Sequence, residues 1–265
     1  MLTKRIVSTI ILVLFAVAVT LKDWVCGLVV TAFIVIGLYE FFSMLENKGV
    51  SIYKYVGIVI GAIIPLSMII PSRFEPTKNW ELLFMTVALL SLILMQLKRR
   101  QNLGFIVDIS TTIFGIFYVS WLFSFMIKVR YLPGGLGLLT TVILITKACD
   151  IGALLIGMRF GRTPFFVRIS PKKSLEGAIG GLIFSILAAF ACRPFLHFSY
   201  IHLMILGMAL GILAQLGDLS ESLMKRDCAV KDSGRLIPGI GGMLDLIDSL
   251  LFTAPVFYFY LGAIR

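Results

Sequence analysis

Residues 24–44 of the chain read WVCGLVVTAFIVIGLYEFFSM, a run in which almost every side chain is apolar. An α-helix needs about 20 such residues to cross the hydrocarbon core of a bilayer. Nine apolar runs follow one another along the 265 residues, each bounded by charges, proline or glycine. Their approximate ranges are 6–21, 24–44, 55–70, 80–97, 109–127, 136–156, 177–191, 202–219 and 243–264. We therefore predict an all-α, polytopic integral membrane protein with about nine transmembrane helices.

The composition supports a lipid environment. Hydrophobic residues make up 59% of the chain and charged residues 14%, whereas soluble domains carry roughly 25% charged residues. The net charge of +10 could indicate nucleic acid, but the basic residues lie in short clusters between the apolar runs rather than along one face. We expect the lipid bilayer, and no nucleic acid, to be a partner.

The distribution of Lys and Arg predicts the orientation. Run 6–21 follows Lys4 and Arg5 and resembles a signal peptide, but no small-residue cleavage site follows it, so we keep it as a helix. With the N-terminus inside, 16 of the 24 basic residues fall on the inner side. The positive-inside rule then favours N-in and C-out. We expect a multi-pass protein of the cell inner (cytoplasmic) membrane with its active site facing the cytoplasm.

The acidic residues divide the chain. Residues 1–130 hold five helices with few acids, and we interpret them as a transmembrane scaffold. Residues 131–265 carry Asp150, Asp218, Asp245 and Asp248 and two long connections, 157–176 and 220–242, on the predicted inner side. We expect this half to be the catalytic region with two cytosolic loops.

The segment 217–250, GDLSESLMKRDCAVKDSGRLIPGIGGMLDLIDSL, holds the densest group of polar residues. On a helix, Asp218, Ser222 and Lys225 or Arg226 recur at intervals of three and four, so they share one face. This face would offer a carboxylate, a hydroxyl and two cations to a ligand.

Asp245 and Asp248 are three residues apart, next to the Gly241-Gly242 pair. Two neighbouring carboxylates near a membrane repel each other unless a cation lies between them. Magnesium suits them, because it binds carboxylate oxygens and bridges to substrate phosphates. Alternatively, the two acids form ion pairs with Lys225, Arg226 or Arg235, or lie at a helix N-terminus.

The other loop reads GRTPFFVRISPKKSLEG over residues 161–177. A helix is expected to start in this loop, and backbone donors and cations at a helix start favour the binding of phosphate. The residues around this start are Lys172, Lys173, Ser174 and Glu176. A solvated, positive-inside loop is the alternative. Asp150 lies three residues after Lys147, and this spacing is compatible with an internal ion pair or with a role in the site.

These motifs resemble the phosphatidate cytidylyltransferases, also called CDP-diacylglycerol synthases. The family signature is Ser, two residues, Lys-Arg, four residues, Lys-Asp, and later Pro-x-His-Gly-Gly and Asp-Arg-x-Asp. Ile240 and Leu246 stand where the family has His and Arg. The matching residues are Ser222, Lys225, Arg226, Lys231, Asp232, Pro238, Gly241, Gly242, Asp245 and Asp248. The stretch Ser-Pro-Lys-Lys-Ser-x-Glu-Gly at 170–177 and the nine-helix layout are also similar.

The resemblance implies that CTP and phosphatidic acid give CDP-diacylglycerol and pyrophosphate for phospholipid biosynthesis. The barrier is mainly electrostatic, since two polyanions must meet. We hypothesise that Asp218, Asp245 and Asp248 hold Mg²⁺, and the residual negative charge leaves room for a second cation such as K⁺. Lys172, Lys173, Lys225 and Arg226 would neutralise phosphate charge. The resemblance also implies a homodimer.

The remaining site residues are expected to form hydrogen bonds or to bind substrate. We expect Ser222 to donate a hydrogen bond to phosphate or to orient a neighbouring residue, because no His lies nearby to activate it as a nucleophile. We assign substrate binding to Ser174, Glu176, Lys231, Asp232 and Asp150. The alternatives are another CTP-dependent membrane lipid kinase, such as a polyprenol or phytol kinase, and a secondary transporter.

Overall fold

The structure is a computed structural model that describes residues 22–69, 80–97, 104–166, 168–234, 236 and 241–264, with side chains in the second range from 83 onward. The predicted run 6–21 and the residues Arg235, Pro238 and Ile240 lie outside this part. Nearly all of the described chain is helical. This is expected in lipid, where backbone N–H and C=O groups find no water and must bond within the segment.

The first compact unit comprises Met1–Ile127 and Cys228–Leu246. Its described helices are α1 (Asp23–Asn47), α2 (Lys54–Ile69), α3 (Trp80–Leu97) and α4 (Phe105–Arg130). The unit includes α4 as far as Ile127. The middle of α4, Ile116–Trp121, is π-helical. There the Ser120 hydroxyl donates a hydrogen bond of 2.6 Å to the Gly61 carbonyl of α2. The bond ties the π-helical turn to its neighbour.

The second compact unit comprises Lys128–Asp227 and Ile247–Arg265. Its elements are α5 (Gly135–Phe160), β1 (Pro164–Phe166), β2 (Ser170–Ser174), α6 (Leu175–Ala191), α7 (Arg193–Leu196), α8 (Tyr200–Asp227) and most of α9 (Leu244–Ile264). The strands form an antiparallel hairpin in which Pro164 is opposite Ser174 and Phe166 is opposite Ser170.

Small residues bring α5, α6 and α8 of this unit close together. A Cβ atom added at Gly181 of α6 would lie 2.9 Å from the Cys149 carbonyl oxygen of α5. One added at Gly207 of α8 would lie 2.7 Å from the Cα atom of Ile186. The Ser185 hydroxyl donates to the Gly207 carbonyl at 2.9 Å. Small side chains and polar bonds at contact points are typical of helix packing in membranes.

The predicted helical membrane protein is confirmed. Apart from the short α7, the described helices lie where the apolar runs were, within a few residues except at the longer C-terminal end of α8. Within the described residues, five helices are long and apolar enough to cross a membrane: Asp23–Asn47, Phe105–Arg130, Gly135–Phe160, Tyr200–Asp227 and Leu244–Ile264. Three shorter apolar helices are Lys54–Ile69, Leu83–Leu97 and Leu175–Ala191. The count of nine spans and the orientation stay predictions.

Candidate active site

The ion pair between Lys147 and Asp150, one of the two alternatives for these residues, is present on α5. The Lys147 ammonium nitrogen lies 2.9 Å from the Asp150 carboxylate. Lys147 also interacts electrostatically with Asp248 and Asp218 of the same unit. The pair therefore belongs to a larger group of charges, and the two interpretations of Asp150, ion pair and site residue, are compatible.

Asp248 lies one turn into α9 and is only 7% exposed. Ser249 connects it to α5, because the Ser249 hydroxyl oxygen lies 3.0 Å from an Asp248 carboxylate oxygen and 3.2 Å from an Asp150 oxygen. A hydroxyl has one proton, so it donates to one of the two carboxylates at a time. The two acids are thus held side by side through one serine.

Asp218 joins this group from α8. A Cβ atom at Gly217 would lie 2.6 Å from the Asp248 carbonyl oxygen, so only glycine lets the α8 and α9 backbones come this close. The charges of the Asp218 and Asp248 carboxylates repel each other. Its carboxylate forms an ion pair of 2.5 Å with Lys173 of β2. We call Lys147, Asp150, Lys173, Asp218, Asp248 and Ser249 the acid–lysine cluster.

The acid–lysine cluster suits magnesium by its donor chemistry. Its three carboxylates and two ammonium groups leave one excess negative charge. Within the described ranges, no group of three or more His, Cys, Asp or Glu side chains is arranged to enclose a metal ion. Magnesium does not need such a cage, since it usually binds through one or two carboxylates, waters and substrate phosphates. Asp218 and Asp248 are the carboxylates that fit this mode.

Asp245, the third predicted ligand, belongs to the first unit. One of its carboxylate oxygens accepts hydrogen bonds from the Ser233 N–H at 3.0 Å, the Ser233 hydroxyl at 2.9 Å and the Gly242 N–H at 2.7 Å. Asp245 lies in the first turn of α9, which agrees with the alternative that it lies at a helix N-terminus. Its carboxylate therefore already organises the loop before α9, and its role as a metal ligand stays a prediction.

Ser174 and Glu176 shape the loop that carries Lys173. The Ser174 side chain caps α6 by accepting a hydrogen bond of 3.1 Å from the Gly177 N–H. The Glu176 carboxylate accepts from the backbone N–H groups of Arg162 and Thr163, each at 3.1 Å, and from the Thr163 hydroxyl at 2.8 Å. Both side chains have structural partners, and their predicted contacts with substrate stay predictions.

These hydrogen bonds change the acidity of Glu176. Bonds from its own backbone N–H, from the Arg162 N–H and from the Thr163 hydroxyl lower the pKa of this carboxyl to about 2. Hydrogen bonds that favour the ionised form have this effect. The Glu176 carboxylate is consequently ionised throughout the physiological pH range.

The basic residues differ in their partners. Lys172 is exposed. Lys225 forms an ion pair of 2.8 Å with Glu221, a fully buried acid one turn before it on α8. The exposed Arg226 donates from Nε to the Ile169 carbonyl at 3.3 Å, which connects the end of α8 to the hairpin. Ser222, which directly follows Glu221 in sequence, is half-buried. Glu221 thus holds the Lys225 side chain at the end of α8.

The loop after α8 is only partly described. Lys231 and Asp232 are exposed there, and Gly241 adopts φ = 128°, a backbone region that favours glycine. The family positions Pro238 and Ile240 lie outside the described residues. The assignment of Lys231 and Asp232 to substrate binding stays a prediction.

Three residues with polar contacts in this region were not predicted from the sequence. Ser249 bridges two acids, Glu221 holds Lys225, and the buried Glu40 of α1 accepts a hydrogen bond of 2.9 Å from the Leu244 N–H. A signal existed for Glu40, since it is the sole acid inside the apolar run 24–44. Intramembrane acids are functional candidates by default.

Comparison with known proteins places these features in context. Residues 3–264 match the model of the cytidylyltransferase family. The chain is 33% identical to a phosphatidate cytidylyltransferase of Synechocystis, over 97% of this chain and 96% of that protein. It is 30% identical to the phosphatidate cytidylyltransferase of Bacillus subtilis, covering 85% and 86% of the two chains. A chloroplastic phosphatidate cytidylyltransferase of Arabidopsis thaliana is 33% identical over 90% of this chain and 67% of its own.

Proposed function

Because this chain belongs to the cytidylyltransferase family, we propose that it transfers the cytidylyl group of CTP to phosphatidic acid. The products are CDP-diacylglycerol and pyrophosphate, and the reaction serves phospholipid biosynthesis. The observation that carries the proposal is the identity of 33% with a phosphatidate cytidylyltransferase over 97% of this chain. The acid–lysine cluster supports it, because it combines carboxylates for a metal with cations for phosphates.

The reaction joins two phosphates. An oxygen of the lipid phosphate forms a bond to the α-phosphorus of CTP, and the bond from that phosphorus to the α–β bridging oxygen breaks. Pyrophosphate leaves with the bonding electrons. The attacking oxygen is already ionised, so a strong general base is not required, and the main requirement is to overcome repulsion between two anions.

The residues of the chain meet this requirement by charge and position. Asp218 and Asp248, together with Asp245, would hold magnesium, which supplies positive charge against the CTP phosphates when bound. Lys173 faces Asp218 at 2.5 Å and would contact phosphate from the hairpin. Lys172, Lys225 and Arg226 add charge, and Ser222 donates a hydrogen bond. Lys231, Asp232, Ser174, Glu176 and Asp150 complete the proposed site.

The setting of the site is part of the proposal. Nine spans with N-in and C-out would put both polar loops on the cytoplasmic side of the inner membrane, where CTP is available. The excess of carboxylates in the acid–lysine cluster leaves room for a second cation such as K⁺. A homodimer is the assembly that we propose.

Identification of both products tests the function. Purified protein in mixed micelles is incubated with CTP, magnesium and phosphatidic acid, and the lipid and aqueous phases are analysed by mass spectrometry. We expect a CMP-bearing lipid and an equal amount of pyrophosphate. Release of CDP with a phosphorylated lipid would identify a lipid kinase instead. Solute flux across sealed vesicles without CTP consumption would identify a transporter.

A further inference from the structure

Glu40 is an acidic side chain within the apolar run of α1, and it is only 6% exposed. A carboxylate in a membrane-spanning helix is costly unless polar partners compensate it. The described helices hold few such acids outside the acid–lysine cluster. The hydrogen-bond partners of Glu40 therefore indicate its role.

Glu40 accepts hydrogen bonds from the start of α9. The Leu244 N–H lies 2.9 Å from its Oε2 atom, and the Met243 N–H is a second backbone donor to this side chain. The first N–H groups of a helix have no partners within the helix. Glu40 thus supplies, from a helix 204 residues away in sequence, the acceptor that an N-cap side chain usually provides.

Glu40 is also connected to Asp245 through one serine. The Ser233 hydroxyl lies 3.3 Å from Oε2 of Glu40 and 2.9 Å from the Asp245 carboxylate. The Ser233 N–H donates to the same Asp245 oxygen. A Cβ atom at Gly234 or Gly242 would overlap the Glu40 carboxylate, so the loop packs directly on this side chain.

We propose that Glu40 is a positioning residue of the active site. It fixes Ser233, Gly242 and the first turn of α9, and so sets the position of the Asp245 carboxylate. This inference rests on the proposed function, in which Asp245 is a ligand of the metal bound to CTP. A shift of about 1 Å in such a group can lower a rate about 100-fold.

The test compares Glu40→Leu, Glu40→Gln and Ser233→Ala with a matched control, Glu46→Gln. Glu46 is on the same helix but forms an ion pair of 2.8 Å with Lys54. Hydrogen–deuterium exchange is measured on detergent-purified protein without nucleotide, in peptides covering 228–246. Turnover is measured against magnesium and against phosphatidic acid.

We expect Glu40→Leu to speed exchange in peptides 228–246 about 10-fold or more, because the helix-opening N–H groups lose their acceptor. Its kcat should fall about 10- to 100-fold, and half-maximal activity should need several times more magnesium. The KM for phosphatidic acid should stay within about two-fold of wild type, since the proposed role of Glu40 is to position Asp245 and not to bind lipid. Glu40→Gln retains a side-chain oxygen acceptor and should recover part of each loss.

Several outcomes would overturn the proposal. The proposal would fail if Glu40→Leu showed wild-type hydrogen exchange and wild-type magnesium dependence. It would also fail if Glu46→Gln lowered kcat as much as Glu40→Leu does. If Glu40→Leu does not fold, Ser233→Ala decides, because it removes the connection to Asp245 and leaves the bond to Leu244. Unchanged kcat and magnesium dependence in Ser233→Ala would then contradict the proposal. If wild type made no CMP-bearing lipid, the proposed function would fail, while the exchange data would still decide whether Glu40 holds this loop.

Discussion

Lys173 on β2 holds its ammonium nitrogen 2.5 Å from a carboxylate oxygen of Asp218 on α8. Each side chain is about one-third exposed, at 31% and 36%. A pair this accessible to solvent contributes at most about 1 kcal/mol to stability. The contact therefore matters more for holding a cation beside the proposed phosphate site than for the fold.

Lys173→Met should separate these two roles. We expect the melting temperature in detergent to change little, and the KM for CTP to rise about 10-fold or more because a phosphate-neutralising charge is lost. Lys172→Met should have the smaller effect, since Lys172 is exposed and lies one position from the residue that contacts Asp218. Equal effects of the two substitutions would argue against a specific role for Lys173.

Gly217→Ala should damage the acid–lysine cluster. Alanine normally stabilises a helix interior over glycine by about 1 kcal/mol. At Gly217 its Cβ atom would lie 2.6 Å from the Asp248 carbonyl oxygen and 3.1 Å from the Ser249 Cα atom, so α8 and α9 must move apart. We expect a lower melting temperature and a loss of activity.

Gly262→Ala is the matched control for this substitution, because among the described residues no heavy atom outside the neighbouring residues and backbone of its own helix lies within 4 Å of its added Cβ atom. It should leave activity unchanged and keep or raise the melting temperature. A stable and active Gly217→Ala protein would show that the close approach of α8 and α9 is not required.

Asp218→Asn and Asp248→Asn should each remove a proposed metal ligand. We expect kcat to fall about 100- to 1,000-fold, the size of effect seen when one charge-stabilising group is removed from an active site. More magnesium should be needed for the activity that remains. Ser249→Ala should give a smaller loss, because it removes only the hydroxyl between Asp150 and Asp248. Normal activity of either asparagine variant across a magnesium titration would refute the ligand assignment.

Glu176→Gln should change how stability depends on pH. The pKa of Glu176 is about 2 in the folded protein and about 4.3 in an unfolded chain. A lowered pKa stabilises the fold fully above the unfolded value, and this contribution disappears as pH falls through the folded value. The melting-temperature difference between wild type and Glu176→Gln should therefore be constant above about pH 5 and shrink toward pH 2. A difference that does not vary between these limits would contradict the assigned hydrogen bonds.

The helices could be predicted well because lipid imposes a simple rule. A run such as 24–44 must be helical, and α1 indeed covers it with three extra residues at its C-terminal end and one at its N-terminal end. Local spacing also offered the Lys147–Asp150 ion pair as one of two alternatives, since residues three apart on a helix are neighbours. The π-helical turn Ile116–Trp121 and the β1–β2 hairpin were not predicted, because short irregular elements depend on tertiary contacts.

The site was harder to predict for the same reason. Asp248 became a candidate through the family signature and the cost of neighbouring carboxylates near lipid, and Asp218 through the helix face that it shares with Ser222. The contact of Glu40 with Leu244 joins residues 204 positions apart, and no periodicity reveals such a pairing. The bridge from Ser249 to Asp150 spans 99 positions. Only the fold shows that these side chains are neighbours.

The destination of label from CTP distinguishes cytidylyl transfer from phosphoryl transfer. Purified protein is incubated with phosphatidic acid, magnesium and CTP labelled either in the α-phosphate or in the γ-phosphate. Cytidylyl transfer predicts that the α-label enters the lipid and that the γ-label appears in pyrophosphate. Entry of the γ-label into the lipid, with the α-label left in soluble CDP, would contradict it.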